Sequence, residues 1–257
     1  DRFSTRKLIL SALLLCIIST FGMAFAHNFS TALLARFLIG TSSTLCFLSI
    51  IRLASRWFPT NKMALATGGI VTIMALGGFM GQTPLSLLVQ GLGWRHALLL
   101  DGCLGIVFWL IIFANVFDFP PSYHATHHEN LRTLKELGFW TSIGKALGTL
   151  QNWLCGLYTS LLNLSVFIIG SSFGTLFLMQ IHQFSATKAS FVSSMIFLGM
   201  IFGCPIIGNI SDRMGKRKLP MIVCGLISLA LVLVFVYIPA LNYPMLLLLV
   251  FAIGFFT

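Results

Sequence analysis

Long apolar runs separated by short polar turns recur along the chain. They fall near 8–26, 30–51, 63–89, 97–117, 152–180, 188–210 and 219–238, and an eighth run extends from 244 to 257. Each of the first seven is close to the ~20 apolar residues that carry a helix across the hydrocarbon of a bilayer. The pattern predicts an all-α, polytopic transmembrane helical bundle. The eighth run has 14 residues, which as a helix reach about 21 Å against a hydrocarbon core of about 30 Å. It is expected to be an incomplete crossing.

One stretch interrupts the alternation of spans and short turns. Residues 119–150, FPPSYHATHHENLRTLKELGFWTSIGKALGTL, are polar and open with Pro120-Pro121, which stops the preceding helix. The stretch divides the chain into an N-terminal bundle, 1–118, a central loop, 119–150, and a C-terminal bundle, 151–257.

Composition agrees with this reading and excludes a soluble domain. The chain is 57% hydrophobic and 9% charged, whereas soluble domains carry about 25% charged residues. The net charge of +10 does not point to nucleic acid, because the basic residues sit between apolar spans instead of clustering on a soluble face. They report orientation, since cytoplasmic loops retain Lys and Arg. Thirteen of the 16 fall on one side, at Arg2, Arg6 and Lys7, in the turn at 52–62, in the central loop and at 213–218. Arg95 and Lys188 fall on the other, and Arg36 lies inside a span. The expected location is a bacterial inner membrane with 119–150 cytoplasmic. The six cysteines all lie in apolar stretches without the paired spacings of disulfide or zinc frameworks, and they read as small packing residues.

An internal repeat sharpens the architecture. DRFSTRK at 1–7 aligns with DRMGKRK at 212–218, pairing Asp1 with Asp212, Arg2 with Arg213, Arg6 with Arg217 and Lys7 with Lys218. Six spans and the long loop separate the copies. Each copy therefore occupies the same place in a six-helix unit, and parallel halves of six helices are a transporter architecture.

The second copy, preceded by Gly208, reads G-x-x-x-D-R-x-G-[RK]-[RK] over Gly208, Asp212, Arg213, Gly215, Lys216 and Arg217. Gly208 permits close helix approach, Gly215 a left-handed turn, and Asp212 can sit against the positive N-terminus of a neighbouring helix. This string resembles the signature loop of the major facilitator superfamily. The first copy departs from it, with no leading glycine and Ser4 in place of the internal one. LLARFLIGTSS at 33–43, RLASRWFP at 52–59 and GLGWRHALLLDG at 91–102 are similar, in order, to the family's fourth helix and to its turns after the fourth and before the sixth. The resemblance implies two pseudo-repeated six-helix halves, with residue 1 following the second helix and residue 257 within the tenth. The chain is thus expected to be a piece with about eight of twelve helices. It lacks the first two and the last two to three. Asp1, Arg2, Gly208, Asp212, Arg213, Gly215 and Arg217 would form the gating loops.

Glycines mark close helix contacts. Gly68, Gly77 and Gly81 follow the spacing of a motif associated with drug/proton antiporters, but that motif then requires Pro where this chain has Gln82. Gly77-x-x-x-Gly81 and Gly199-x-x-x-Gly203 each offer a flat face for packing. Family geometry would bring the helices that carry them together.

Candidate chemistry within the spans is sparse. Arg36 costs ~2.5 kcal/mol or more in hydrocarbon unless paired or hydrated. It shares a helix face with Gly40, Ser43 and Phe47, and the resemblance implies that this face lines the central cavity, where an anionic solute would dock. The competing structural reading pairs Arg36 with Asp101, the one acidic residue well within a span. Asp101 is also the candidate coupling carboxylate, with a salt bridge to Arg36 or Arg95 as the alternative. In the seventh-helix position, Tyr158 and Asn163 are candidate solute contacts or interhelical hydrogen-bonding groups. His124-x-x-His127-His128 has no further histidines on its side to complete a metal centre, so a solvated cluster is expected and no metal site. No P-loop or catalytic triad emerges.

The sequence thus reads as a secondary active transporter, not an enzyme. It would move a small solute, an organic anion or zwitterion, by rocker-switch alternating access as a monomer. No cofactor is expected beyond a coupling H+ or Na+. A non-transporting membrane sensor on the same scaffold is the alternative, and a membrane-embedded enzyme the more remote one.

Overall fold

The computed structural model describes residues 4–59, 62–118, 144, 147–215, 218–238 and 242–257. The described residues form helices: α1 (Thr5–Ala24), α2 (Phe29–Trp57), α3 (Met63–Leu92), α4 (Trp94–Asn115), α5 (Leu150–Ser165), a π-helical segment (Val166–Ser172), α6 (Gly174–Ile181), α7 (Ala186–Met214), α8 (Lys218–Tyr237) and α9 (Tyr243–Phe255). Seven spans among them are long and apolar enough to cross a membrane, the fifth of these running through Leu150–Ser171. All seven fall where the apolar runs place them. Large apolar side chains turn outward along their length, Phe37 at 70% and Ile73 at 73% exposed. In water such surfaces would drive aggregation, whereas in lipid they are the solvated face.

Contacts divide the chain into two compact units, residues 1–60 with 88–143, and 61–87 with 144–257. This cuts the chain differently from the division at 119–150, because most of α3 clusters with the C-terminal helices. The cause is a close contact of α3 with α7 along one face, described below. The central loop itself, with His124, His127 and His128, lies outside the described residues.

In the first unit α1 packs against both α2 and α4. Small residues permit it. The ring of Phe21 lies against Gly102, and Ile17 against Gly105, where an added β-carbon would stand 2.8 Å and 2.9 Å from them. Trp109 Nε1 donates to the Leu10 carbonyl at 3.0 Å, and Arg56 Nη1 to Thr5 Oγ1 at 3.0 Å. The start of α1 is doubly capped. Ser4 Oγ accepts from Lys7 N–H, and the Asp118 carboxylate accepts from Arg6 N–H at 2.6 Å and from Ser4 Oγ. A carboxylate there meets the free N–H groups and the positive end of the helix dipole.

In the second unit the core gathers on α7. Ala189, Val192, Ile196 and Met200 are buried against Leu178 of α6 and Leu246, Val250 and Ile253 of α9. The α7–α9 approach is backbone to backbone: a β-carbon at Gly199 would fall on the Phe251 carbonyl oxygen, one at Gly203 on that of Phe255, and one at Gly254 on that of Ile196. Pro84 and Pro205 lie inside α3 and α7, a tolerated arrangement in membrane helices. The span expected at 152–180 is not one α-helix. It changes to π-helical winding at Val166, where Phe173 N–H reaches back five residues to the Ile168 carbonyl at 2.8 Å, and resumes as α6 at Gly174.

Candidate functional site

The signature loop closes α7. Gly215 adopts the left-handed conformation, φ 62°, and its N–H donates to the Asp212 carbonyl at 3.3 Å, the usual glycine stop of a helix. One turn earlier the Asp212 side chain leaves α7 for α3, and its Oδ2 accepts from the Leu65 N–H at 3.0 Å. Leu65 is the third residue of α3, so its N–H has no partner within that helix. The carboxylate satisfies this donor and lies against the positive end of the dipole. Gly208 admits the approach, since a β-carbon there would stand 3.0 Å from the Ala64 carbonyl oxygen. Arg213 is exposed. Asp1, Arg2 and Arg217 lie outside the described residues.

The contact of α3 with α7 then continues along both helices. A β-carbon at Gly68 would lie 2.8 Å from the Cys204 carbonyl oxygen, Thr72 Oγ1 donates to the Ile201 carbonyl at 3.4 Å, and Gly78 faces the Phe197 ring at 2.6 Å from the same built position. Thr83 Oγ1 donates to Ser194 Oγ at 3.0 Å, and Gln82 Nε2 donates to the carbonyl of Gly170 in the π-helical segment. The fifth- and eighth-position helices meet, but through other glycines than expected. Gly77 and Gly81 have no described neighbour within 4 Å of a built β-carbon, while Gly199 and Gly203 face α9. Small residues recur on more than one face of α3, and spacing alone does not say which face is covered.

Beside the signature loop opens a cleft of about 570 Å³. Met63 to Val71 of α3, Tyr158 to Asn163 of α5, Cys204 to Ser211 of α7, Pro220 to Cys224 of α8 and the end of α9 contribute to its walls. Its polar groups are hydroxyls, thiols and one amide: Thr67, Tyr158, Thr159, Asn163, Ser211, Cys204, Cys224 and Thr257. Among the described residues, none that lines it is charged. Tyr158 and Asn163 are thus brought to one wall, but each already has a partner. Tyr158 Oη donates to the Met221 carbonyl at 2.7 Å, tying α5 to α8, and Asn163 Nδ2 donates to the Thr159 carbonyl at 2.9 Å. The amide oxygen of Asn163 has no partner among the described residues.

Arg36, Ser43 and Asp101 belong to the other unit. All three are exposed, and the structure does not pair them. The expected salt bridge between Arg36 and Asp101 is absent among the described residues. Arg95 does not supply it either, for Arg95 Nη2 donates to the Ala26 carbonyl at 3.2 Å and its guanidinium lies 4.4 Å from the Trp94 ring centre. Nor do three or more His, Cys, Asp or Glu side chains gather as a metal site among the described residues. Sequence reasoning missed Gln82 and Thr83. The available signal was an amide inside an apolar span, an expensive group unless hydrogen-bonded.

The Major Facilitator Superfamily model matches residues 1–257. The chain belongs to the major facilitator superfamily. Several relatives resemble it over much of its length. A putative transporter AraJ of Escherichia coli K12 is 25% identical over 235 residues, 91% of this chain and 56% of that protein. A D-galactonate transporter of Escherichia coli O6:H1 is 24% identical across all of this chain and 64% of its own length. A probable hexose phosphate transport protein of Chlamydia pneumoniae is 24% identical over 64% of this chain and 40% of its own. The chain spans less than two thirds of each relative. Membership and the seven membrane-length helices together make it an integral membrane protein of all-α, superfamily type.

Proposed function

We propose that this chain forms much of a secondary active transporter that moves a small organic anion or zwitterion by rocker-switch alternating access. The carrying observation is the cleft, a solute-sized space walled by α3, α5, α7, α8 and the end of α9, lined by hydroxyls, thiols and an amide and bordered by the Asp212 cap on α3. Such a site at a helix junction suits a solute that must bind and leave. An exposed guanidinium at Arg36, with no ion pair among the described residues, supports an anionic cargo. So do two relatives, a D-galactonate transporter and a probable hexose phosphate transport protein. Coupling is to H+ or Na+, Asp101 is a candidate proton carrier, and the segment 119–150 faces the cytoplasm of a bacterial inner membrane.

The test is flux. Full-length protein in proteoliposomes should accumulate radiolabelled D-galactonate or another organic anion of a tested panel under an imposed H+ or Na+ gradient. Binding of a panel member without flux under either gradient would favour the sensor reading. On the transporter reading Asp212→Asn lowers the maximal rate and leaves solute affinity nearly intact, because the carboxylate holds a helix end and not the solute. A fall in affinity alone would defeat the gating role of Asp212.

A further inference from the structure

The α3–α7 seam is fastened by polar side chains at its two ends and, between them, by van der Waals contact and one long hydrogen bond, from Thr72 Oγ1 to the Ile201 carbonyl at 3.4 Å. At one end Asp212 holds the Leu65 N–H. Near the middle Gly68 and Gly78 bring α3 against Cys204 and Phe197, a contact that can slide or rock without breaking a strong bond. Toward the other end stand two consecutive residues of α3. Thr83 donates to Ser194 of α7, and Gln82 donates to the carbonyl of Gly170. Ser193 and Ser194 are both fully buried, and Ser193 in turn accepts from Thr175 Oγ1 at 3.4 Å. One polar patch thus joins α3, α7, the π-helical segment and α6.

Gly170 lies where the helix winds wide. A π-helical turn shifts carbonyls away from their ordinary acceptor geometry, and such turns occur frequently at functional sites. The Gln82 amide reaches this point from a separate helix. Gly170 is itself packed by Ile196 and Phe197 of α7, which a β-carbon there would approach to 2.8 Å and 3.1 Å.

We propose that Gln82, with Thr83, is a positioning clasp that opposes the Asp212 cap at the far end of the same seam. When the clasp holds, α3 is tied to the π-helical segment at its Gln82 end; when it opens, that end separates while the Asp212 end stays shut. The proposal rests on the transporter reading for its use, but its test reads conformation directly and does not require a known solute. Gln82 touches neither the cleft nor its lining.

Two single-cysteine reporters in the full-length protein, otherwise free of cysteine, are reconstituted in lipid nanodiscs and labelled with N-ethylmaleimide. Thr175→Cys reports on the Gln82 end, and native Cys224, which lines the cleft, reports on the Asp212 end. Loss of one interhelical hydrogen bond shifts a two-state population by about two- to tenfold. Gln82→Leu should therefore raise labelling at position 175 and lower it at Cys224, each by about that factor, with Gln82→Leu/Thr83→Val doing more and Thr83→Ser nothing. Labelling that rises at both sites would show general loosening and overturn the clasp, as would no change at either. A silent proteoliposome assay alongside a reciprocal labelling response would sink the transport reading and leave the clasp standing.

Discussion

Single atoms decide which helices of this protein can touch. At Gly203 the backbone of α9 occupies the place a side chain would take, as it does at Gly199, so any larger residue must push α7 and α9 apart. Overpacking of this kind typically costs about 1–3 kcal/mol. Gly203→Val should lower the apparent melting temperature of the purified full-length protein by several degrees in a fluorescence-detected thermal scan. Gly77→Ala and Gly81→Ala meet open space among the described residues, and should be neutral or raise stability by up to about 1 kcal/mol through helix propensity. The reverse ranking would mean that the α3 face bearing Gly77 and Gly81 is the covered one. Both glycine pairs have the same spacing, and this explains why the sequence flagged both and distinguished neither. Asp212 was more legible. Its motif places a carboxylate one turn before a glycine stop, which is where a neighbouring helix end can be reached. The competing reading that pairs Arg36 with Asp101 rests on their similar depth within their spans, and depth does not specify azimuth around a helix.

Whole elements were read well wherever the signal was length and apolarity. The seven spans follow from the bilayer's thickness, and each lies within a few residues of its run, apart from the longer reach of α2 to Trp57 and the fifth span, which ends at Ser171 where its run extends to 180. The winding inside a span was not legible. Apolar residues of either face suit lipid, so the run from Leu150 to Ile181 carries no periodicity that would betray a change from α to π at Val166. Only tertiary partners mark it, above all Gln82. A π turn behaves as an α-helix with one residue too many, which leads to a direct test. Deleting Phe167, 63% exposed, should let the segment rewind as α-helix and draw the Gly170 carbonyl back into the ordinary ladder. The full-length deletion variant is expected to fold, with a melting temperature within about 5 °C of the parent. Organic-anion uptake in proteoliposomes should nevertheless fall steeply. Collapse of the fold would instead make the wide turn a requirement for packing.

At the scale of the molecule, the arrangement of charge and the count of crossings must agree. The basic heptads at 1–7 and 212–218 are separated by six membrane-length spans among the described residues, Thr5–Ala24 through Ala186–Met214. An even number of crossings returns the chain to the side it left. The Lys and Arg residues at both heptads resist translocation, so topology and electrostatics reinforce each other. The same counting puts Lys188, at the opposite end of α7 from Asp212, across the bilayer. Single cysteines at Ser4→Cys, Lys218→Cys and Lys188→Cys in the full-length protein, expressed in intact bacteria, separate these positions. A membrane-impermeant maleimide should label Lys188→Cys from outside and reach the other two only after the membrane is opened. The test also constrains function. A carrier of parallel halves needs its two signature loops on one leaflet, where each can cap a helix in the same phase of the cycle. If Ser4→Cys and Lys218→Cys reacted from different sides, an odd number of crossings would separate the loops. The pseudo-repeat would then lose its meaning, and with it the reason to expect the Asp212 cap to act in concert with its counterpart.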